Sequence, residues 1–204
     1  ICVPTVLINS QAESQDELLH WVAVDDRVGA QLAVEHLLQL GHHAIGYLGV
    51  SCRPRSNQLR FQGYQNALQA AGMSYSNGWV VIAPGTEASD EEDVVAGQTM
   101  LPRLLDAGTT AIFCYNDMVA IGALIACQER GIPVPQALSV IGFDDIRMAS
   151  YVSPPLTTIH QPKVELGHLA AEVMLDLLRN HPAKNHVLQP TLVIRLSTAP
   201  LESR

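Results

Sequence analysis

The 204 residues carry 20 Asp and Glu against 12 Lys and Arg, a net charge of -8, which argues against a general phosphate-binding surface, since such surfaces rest on an excess of Lys and Arg. The length allows one large α/β domain or two lobes of roughly 100 residues, each burying its own core. No apolar run approaches the ~18 residues that cross a bilayer, and no basic-then-apolar leader opens the chain; a start at Ile1 that runs straight into strand-like VPTVLIN is expected of a piece of a longer chain.

In chain order, Val3 to Ile8 and Trp21 to Val24 read as strands joined by a polar connection. Asp25-Asp26 then opens a helix with Ala30, Ala33, Val34, Leu37 and Leu38 on one face and Gly41 past its end, Asp26 being the natural N-cap. A strand over Ala44 to Gly49 follows, and after SCRPRSN a helix marked by Phe61, Tyr64, Leu68 and Ala71 stops at Gly72. Trp79 to Ala83 is a third β-type run. Ser89 and Glu92 stand in capping-box register before a helix carrying Val94, Leu101, Leu104 and Leu105, closed by Gly108. Ala111 to Tyr115 is again a strand, and the helix from Asn116-Asp117 should turn Met118, Ile121, Gly122 and Ile125 inward, with Gly131 beyond its end.

Ile132 to Gln161 is the most informative stretch. An apolar strand, Leu138 to Phe143, stops abruptly at Asp144 and Asp145, and a second strand, Leu156 to His160, follows Pro154-Pro155. Pro162 then sits in the first turn of a long helix with Leu166, Leu169, Ala170, Val173 and Leu177 inward. The last strand, Val187 to Leu196, is interrupted by Pro190, which must lie at an edge or between two sheets. Strict alternation of strand and helix implies parallel sheets covered by helices.

Polar residues at the carboxyl ends of parallel strands converge on one side of the sheet, where open α/β sheets bind ligands. Here they are Asp25-Asp26, Ser51 to Arg60, Asn116-Asp117 and Asp144-Asp145. Carboxylates, an amide and an arginine suit a polyhydroxylated ligand, because carboxylates accept from hydroxyls while Arg and Asn donate. The same set suits catalysis poorly. There is no GxSxG elbow, no phosphate loop and no clustered His/Cys set for a metal, so neither an enzyme nor a cofactor is expected. His42-His43 reads as structural or solvated, and a glycosidase pair of Asp26 and Asp144 is a minor alternative. Taken singly, Asp26, Ser89 and Asp117 read equally well as helix caps and Arg60 as a helix-surface cation. Cys2, Cys52, Cys114 and Cys127 lack CxxC spacing and read as free thiols of a reducing compartment.

Taken together, VPTVLIN, VAVDDRVGAQLAVEHLLQLGHHAIGYLG, RFQGYQNALQAAGM, AIFCYNDMVAIGAL, GIPVPQALSVIGFDDIRMASYVSPPLTTIHQP and RLST resemble the effector-binding domain of the LacI/GalR family of transcriptional regulators, in the right order over most of the chain. The resemblance implies an α/β fold of two Rossmann-like lobes with parallel sheets, of the periplasmic-binding-protein-like type I, with the N-terminal lobe incomplete. It places 1–42 and 156–187 in that lobe and 43–155 and 188–204 in the C-terminal one, the DNA-binding domain lying outside this chain. Asp26, Arg60, Asn116 and Asp144 become the ligand-binding groups, with Ser56 and Gln161 beside them, and Asp26 and Asn116 come from opposite lobes. The implied ligand is a small effector, expected to be a carbohydrate, held between the lobes. The implied partners are an operator DNA, reached only through the absent helix-turn-helix, and a second copy in a cytoplasmic homodimer, with no membrane.

Where several sugar-responsive members carry an aromatic platform this chain has Glu92, so stacking would fall to Trp79 or another ring. The alternative within the same fold is a periplasmic sugar-binding protein of a transporter, which the free cysteines and the VPQALSVIGFDD and PPLTTIHQP strings disfavour. On the preferred reading, Asp144→Ala or Arg60→Ala abolishes a ligand-induced rise in melting temperature and leaves the fold intact.

Overall fold

The computed structural model describes residues 3–12, 16–85 and 89–202. Its elements run β1 (Thr5–Ile8), β2 (Leu19–Val24), α1 (Asp26–Gln39), β3 (Ile45–Val50), α2 (Pro54–Ala70), β4 (Val80–Ala83), α3 (Asp90–Asp106), β5 (Ala111–Cys114), α4 (Asp117–Glu129), β6 (Ser139–Ile141), β7 (Thr158–His160), α5 (Lys163–Leu178), β8 (His186–Leu188) and β9 (Thr191–Val193), with short 3-10 turns at Asn77–Trp79 and Arg147–Ser150. Helices α1 to α4 stop where left-handed glycines follow them: Gly41, Gly72, Gly108 and Gly131 have φ of 84°, 71°, 76° and 64°, a conformation that costs a Cβ-bearing residue energy; after α5 the left-handed residue is Asn180, at φ 55°.

Two compact units result. Unit 1 joins Ile1–Asp25 to Gln161–Pro190, and unit 2 joins Asp26–His160 to Thr191–Arg204. In unit 1 the parallel sheet β1-β2-β8 packs Val22 and Val24 against Leu166, Ala170, Val173 and Leu177 of α5. Unit 2 is built on the parallel sheet β4-β3-β5-β6. Because side chains alternate along a strand, Ile45, Tyr47 and Phe113 meet α1 and α2 on one face. Leu48, Val50, Ile112 and Val140 meet α3 and α4 on the other.

The divisions fall elsewhere than at 42/43, 155/156 and 187/188. Helix α1 belongs to unit 2 because Ala30, Ala33, Val34 and Leu37 share a core with Tyr47, Tyr64, Phe113 and Phe143. Gly63 of α2 lies against its first turn, and a Cβ at residue 63 would come within 2.3 Å of the Arg27 carbonyl. Strand β7 also belongs there, paired antiparallel with β9, so the sheets are not all parallel. Pro190 separates β8 of unit 1 from β9 of unit 2, as the interrupted last strand implies.

Helix α4 departs from a one-sided pattern. Val119, Ala120, Ile121, Gly122, Ala123, Leu124, Ala126 and Cys127 are all buried, whereas Met118 and Ile125, expected inward, are only partly so. Its contact with α3 is backbone to backbone: a Cβ on Gly122 would sit 2.1 Å from the Val94 carbonyl, and one on Gly97 2.1 Å from that of Val119. Gly122→Ala must push the helices apart, and a loss of about 1–3 kcal/mol is expected. Urea denaturation checks this, and an unchanged midpoint would refute the close approach.

Candidate ligand-binding site

Arg60 lies on α2 with only 4% of its surface exposed, so it is not a helix-surface cation. Its Nε donates to Asp26 Oδ1 at 2.8 Å, Nη1 to the Tyr115 carbonyl at 2.6 Å and Nη2 to Asp144 Oδ1 at 3.4 Å. The guanidinium carbon stands 3.7 Å from the Phe143 ring centre and 4.6 Å from that of Tyr115, a stacked arrangement that suits a planar cation. Burial works against its charge, but the carboxylates of Asp26 and Asp144 outweigh it and raise the pKa further. Arg60 therefore stays charged and fixes two carboxylates at the carboxyl ends of the strands.

A second network adjoins the first through Tyr115. The Tyr115 hydroxyl and Ser56 Oγ are 2.6 Å apart, and Arg53 lies 5.8 Å from the same ring. Arg53 Nη1 donates to both oxygens of Asp93, at 2.9 and 2.8 Å. Asn116 Nδ2 donates to Asp93 Oδ2 at 2.7 Å, while its Oδ1 accepts the Val119 N–H and caps α4. Asn116 is thus a cap and a site neighbour at once.

Asp26, Arg60, Asp144, Ser56 and Asn116 accordingly gather at one end of the unit 2 sheet. Asp26 does not stand opposite Asn116 in another lobe, because it is the first residue of α1 and belongs to the same unit. Gln161 belongs to unit 1, where its buried amide oxygen accepts from Asn9 Nδ2 at 2.8 Å. Asn9 directly follows β1, with φ 54°.

Asp93, Tyr115 and Asn9 escape the sequence reading, and Arg53 enters it only within the stretch Ser51 to Arg60. A signal for Arg53 was present, since residues 53, 56 and 60 share one face of a helix. Asp93 is one of four carboxylates in the first turn of α3, and Tyr115 closes the apolar run Ala111 to Tyr115, so neither stands out by residue type. Ser89 does cap α3, its Oγ accepting the Glu92 N–H at 3.1 Å. Trp79 cannot serve as a platform here: it precedes β4 at the amino end of the sheet, and its indole donates to the Ala107 carbonyl. The rings beside the cluster are Tyr115 and Phe143.

Asp144 and Asp145 have positive φ, 112° and 49°. For residues with a Cβ each such conformation costs roughly 1–3 kcal/mol and persists only where its surroundings hold it. Asp145 accepts from Arg195 Nη2 at 2.7 Å and from His160 Nδ1 at 2.8 Å. Burial would raise its pKa, but these partners bring it below the usual carboxylate value. Asp117 is 1% exposed and accepts the Ile146 N–H at 2.8 Å and the Thr158 hydroxyl. Burial pushes it up to about 7, these two bonds offset only part of that, and the Asp144 and Asp145 charges push the same way.

His42 Nε2 lies 3.0 Å from the Ala199 carbonyl and must carry the proton, leaving Nδ1 to accept from Thr110 Oγ. Cys114 and Cys127 are buried free thiols, and burial pushes Cys127 up to about 11, while Cys52 is partly exposed. Cys2 lies outside the described residues.

A parallel α/β unit with charged and amide groups collected at its strand carboxyl ends is a small-molecule-binding class of fold. Residues 34–198 match the periplasmic binding protein-like domain family. The chain is 40% identical over 173 residues to the ribose operon repressor of Haemophilus influenzae, covering 83% of this chain and 50% of that one. It is 40% identical over 188 residues to the HTH-type transcriptional regulator GalR of Escherichia coli, covering 89% and 53%. A crystal structure of a LacI family transcriptional regulator from Enterococcus faecium with bound ribose superposes with a TM-score of 0.84 at 32% identity, over 98% of this chain and 72% of that one. The chain belongs to the LacI/GalR family of transcriptional regulators, as its periplasmic binding protein-like domain. It spans about half the length of the curated relatives it matches.

Proposed function

We propose that this domain senses a small effector, a sugar, and passes its presence to the operator-binding helix-turn-helix of a cytoplasmic, homodimeric regulator. The observation that carries the reading is Arg60, held charged between Asp26 and Asp144 at the carboxyl ends of the strands. Kinship with a ribose operon repressor and with a ribose-bound regulator supports a sugar, and relatives that are named as regulators favour this role over a transporter's periplasmic binding protein. The carboxylates accept from ligand hydroxyls, and no bond of the ligand is broken. A ligand shifts the regulator only by binding one of its conformations more tightly than the other.

The test is a thermal-shift screen of the full-length protein with D-ribose, other neutral aldoses and a sugar phosphate. A sugar at a hundredfold its Kd stabilises by about 2.7 kcal/mol, a rise of several degrees. Asp144→Asn is expected to abolish that rise. Asp144→Gly is expected to do the same, and because glycine adopts a φ of 112° freely, the relieved backbone offsets part of the stability lost with the Arg60 contact. Turnover of the sugar, or an undiminished rise in both variants, would overturn the reading.

A further inference from the structure

Asp117 has no part in the proposed recognition of ligand, yet it is one of the most enclosed carboxyl groups in unit 2. It opens α4, but Asn116 already caps that helix, and the Asp117 side chain turns instead to the segment that carries Asp144. Its main-chain N–H donates to the Phe143 carbonyl at 2.8 Å, and its Oδ2 accepts the Ile146 N–H at 2.8 Å. The two bonds bracket Asp144 and Asp145, the consecutive residues with positive φ. The other oxygen accepts from Thr158 of β7. Gly142 completes the fit, since a Cβ there would fall 2.2 Å from Asp117 Oδ1.

We propose that Asp117 is the positioning residue of the site: its main-chain N–H holds the turn at Phe143, its carboxyl holds it at Ile146, and the two together aim Asp144 at Arg60. The inference deepens the sensing role and rests on it for its consequence, though not for its geometry. Without the clamp, the Ile146 N–H loses its acceptor, and a backbone with two unfavourable φ values in succession relaxes towards ordinary ones. Asp144 then leaves the Arg60 cluster while the sheet beneath stays intact. Asparagine at 117 preserves the clamp, its amide oxygen accepting from Ile146 and its NH2 donating to Thr158 Oγ.

The experiment is hydrogen–deuterium exchange of the full-length protein with peptide resolution across 140–150, comparing wild type with Asp117→Ala, Asp117→Asn and Gly142→Ala. Exchange in the turn is expected to accelerate at least tenfold in Asp117→Ala, with β3 and β5 unchanged, and to stay near wild type in Asp117→Asn. Gly142→Ala, which leaves the carboxyl in place but displaces it, is expected to accelerate the turn too, and it decides the matter if Asp117→Ala does not fold. Wild-type exchange in Asp117→Ala would overturn the proposal, as would uniform acceleration through unit 2 in a folded variant. D-ribose-induced stabilisation is read on the same samples, with a loss of at least tenfold in affinity expected where the turn loosens. No response to ribose in the wild type would count against the ligand class and leave the exchange comparison standing.

Discussion

Arg60→Ala is expected to destabilise the protein by about 3–5 kcal/mol, the range for breaking a buried ion pair from one side. Arg60 is nearly inaccessible, makes three hydrogen bonds to three segments of unit 2, and lies between two rings. Removing it strands the Asp26 carboxylate, 12% exposed, and leaves the Tyr115 carbonyl without its donor. The sequence reading expects the fold to survive this change intact, and the structure revises that expectation because ligand contact and core support fall on one side chain. Arg60→Lys keeps the charge but not the planar fork that meets several acceptors at once, so an intermediate loss is expected. Urea unfolding of both variants measures the effect, and a cost below about 1 kcal/mol for alanine would mean that the cluster behaves like an exposed pair.

Asp117 should make stability fall as the pH rises. Its pKa of about 7 in the fold, against an ordinary 3.8, means that between these values the folded protein keeps a proton that the unfolded chain releases. This contribution is fully present below pH 3.8 and is lost as the pH climbs through about 7, a change on the order of 4 kcal/mol. Asp117→Asn cannot titrate, so its stability relative to wild type should increase across that window. His36 and His42 act in the opposite sense. Burial lowers both imidazole pKa values from 6.5, so their neutral forms support the fold above that value and this support is lost on acidification. Comparing variant with wild type at each pH cancels the histidine effect. Parallel profiles from pH 4 to pH 8 would show that Asp117 is ionised throughout.

Much of unit 2 was legible because its signals are local. Glycines after the helices, Ser89 before α3 and the apolar run that stops at Asp144 each act within a few residues of themselves. The helix faces were legible where one side meets solvent, as in α2, and not in α4, which is enclosed on nearly every side and carries no periodic contrast. The allocation of α1 to a unit was not legible at all. An amphipathic helix records that one face is buried, not which sheet buries it, and the decision rests on Gly63, distant in sequence, which lets the Arg27 turn approach.

The site divides in the same way. The sequence by itself determined that the carboxyl ends of several strands would offer Asp26, Arg60, Asn116 and Asp144, since parallel strands bring their ends to one side wherever the helices go. Only the tertiary structure decided that Arg60 binds Asp26 and Asp144 together, that Asn116 answers to Asp93 and Arg53, and that Asp117 holds the turn from beneath. The reason is the range of the interactions: a strand end is set by neighbours in the chain, whereas a hydrogen-bond partner is chosen at about 3 Å from groups 23 to 84 residues away.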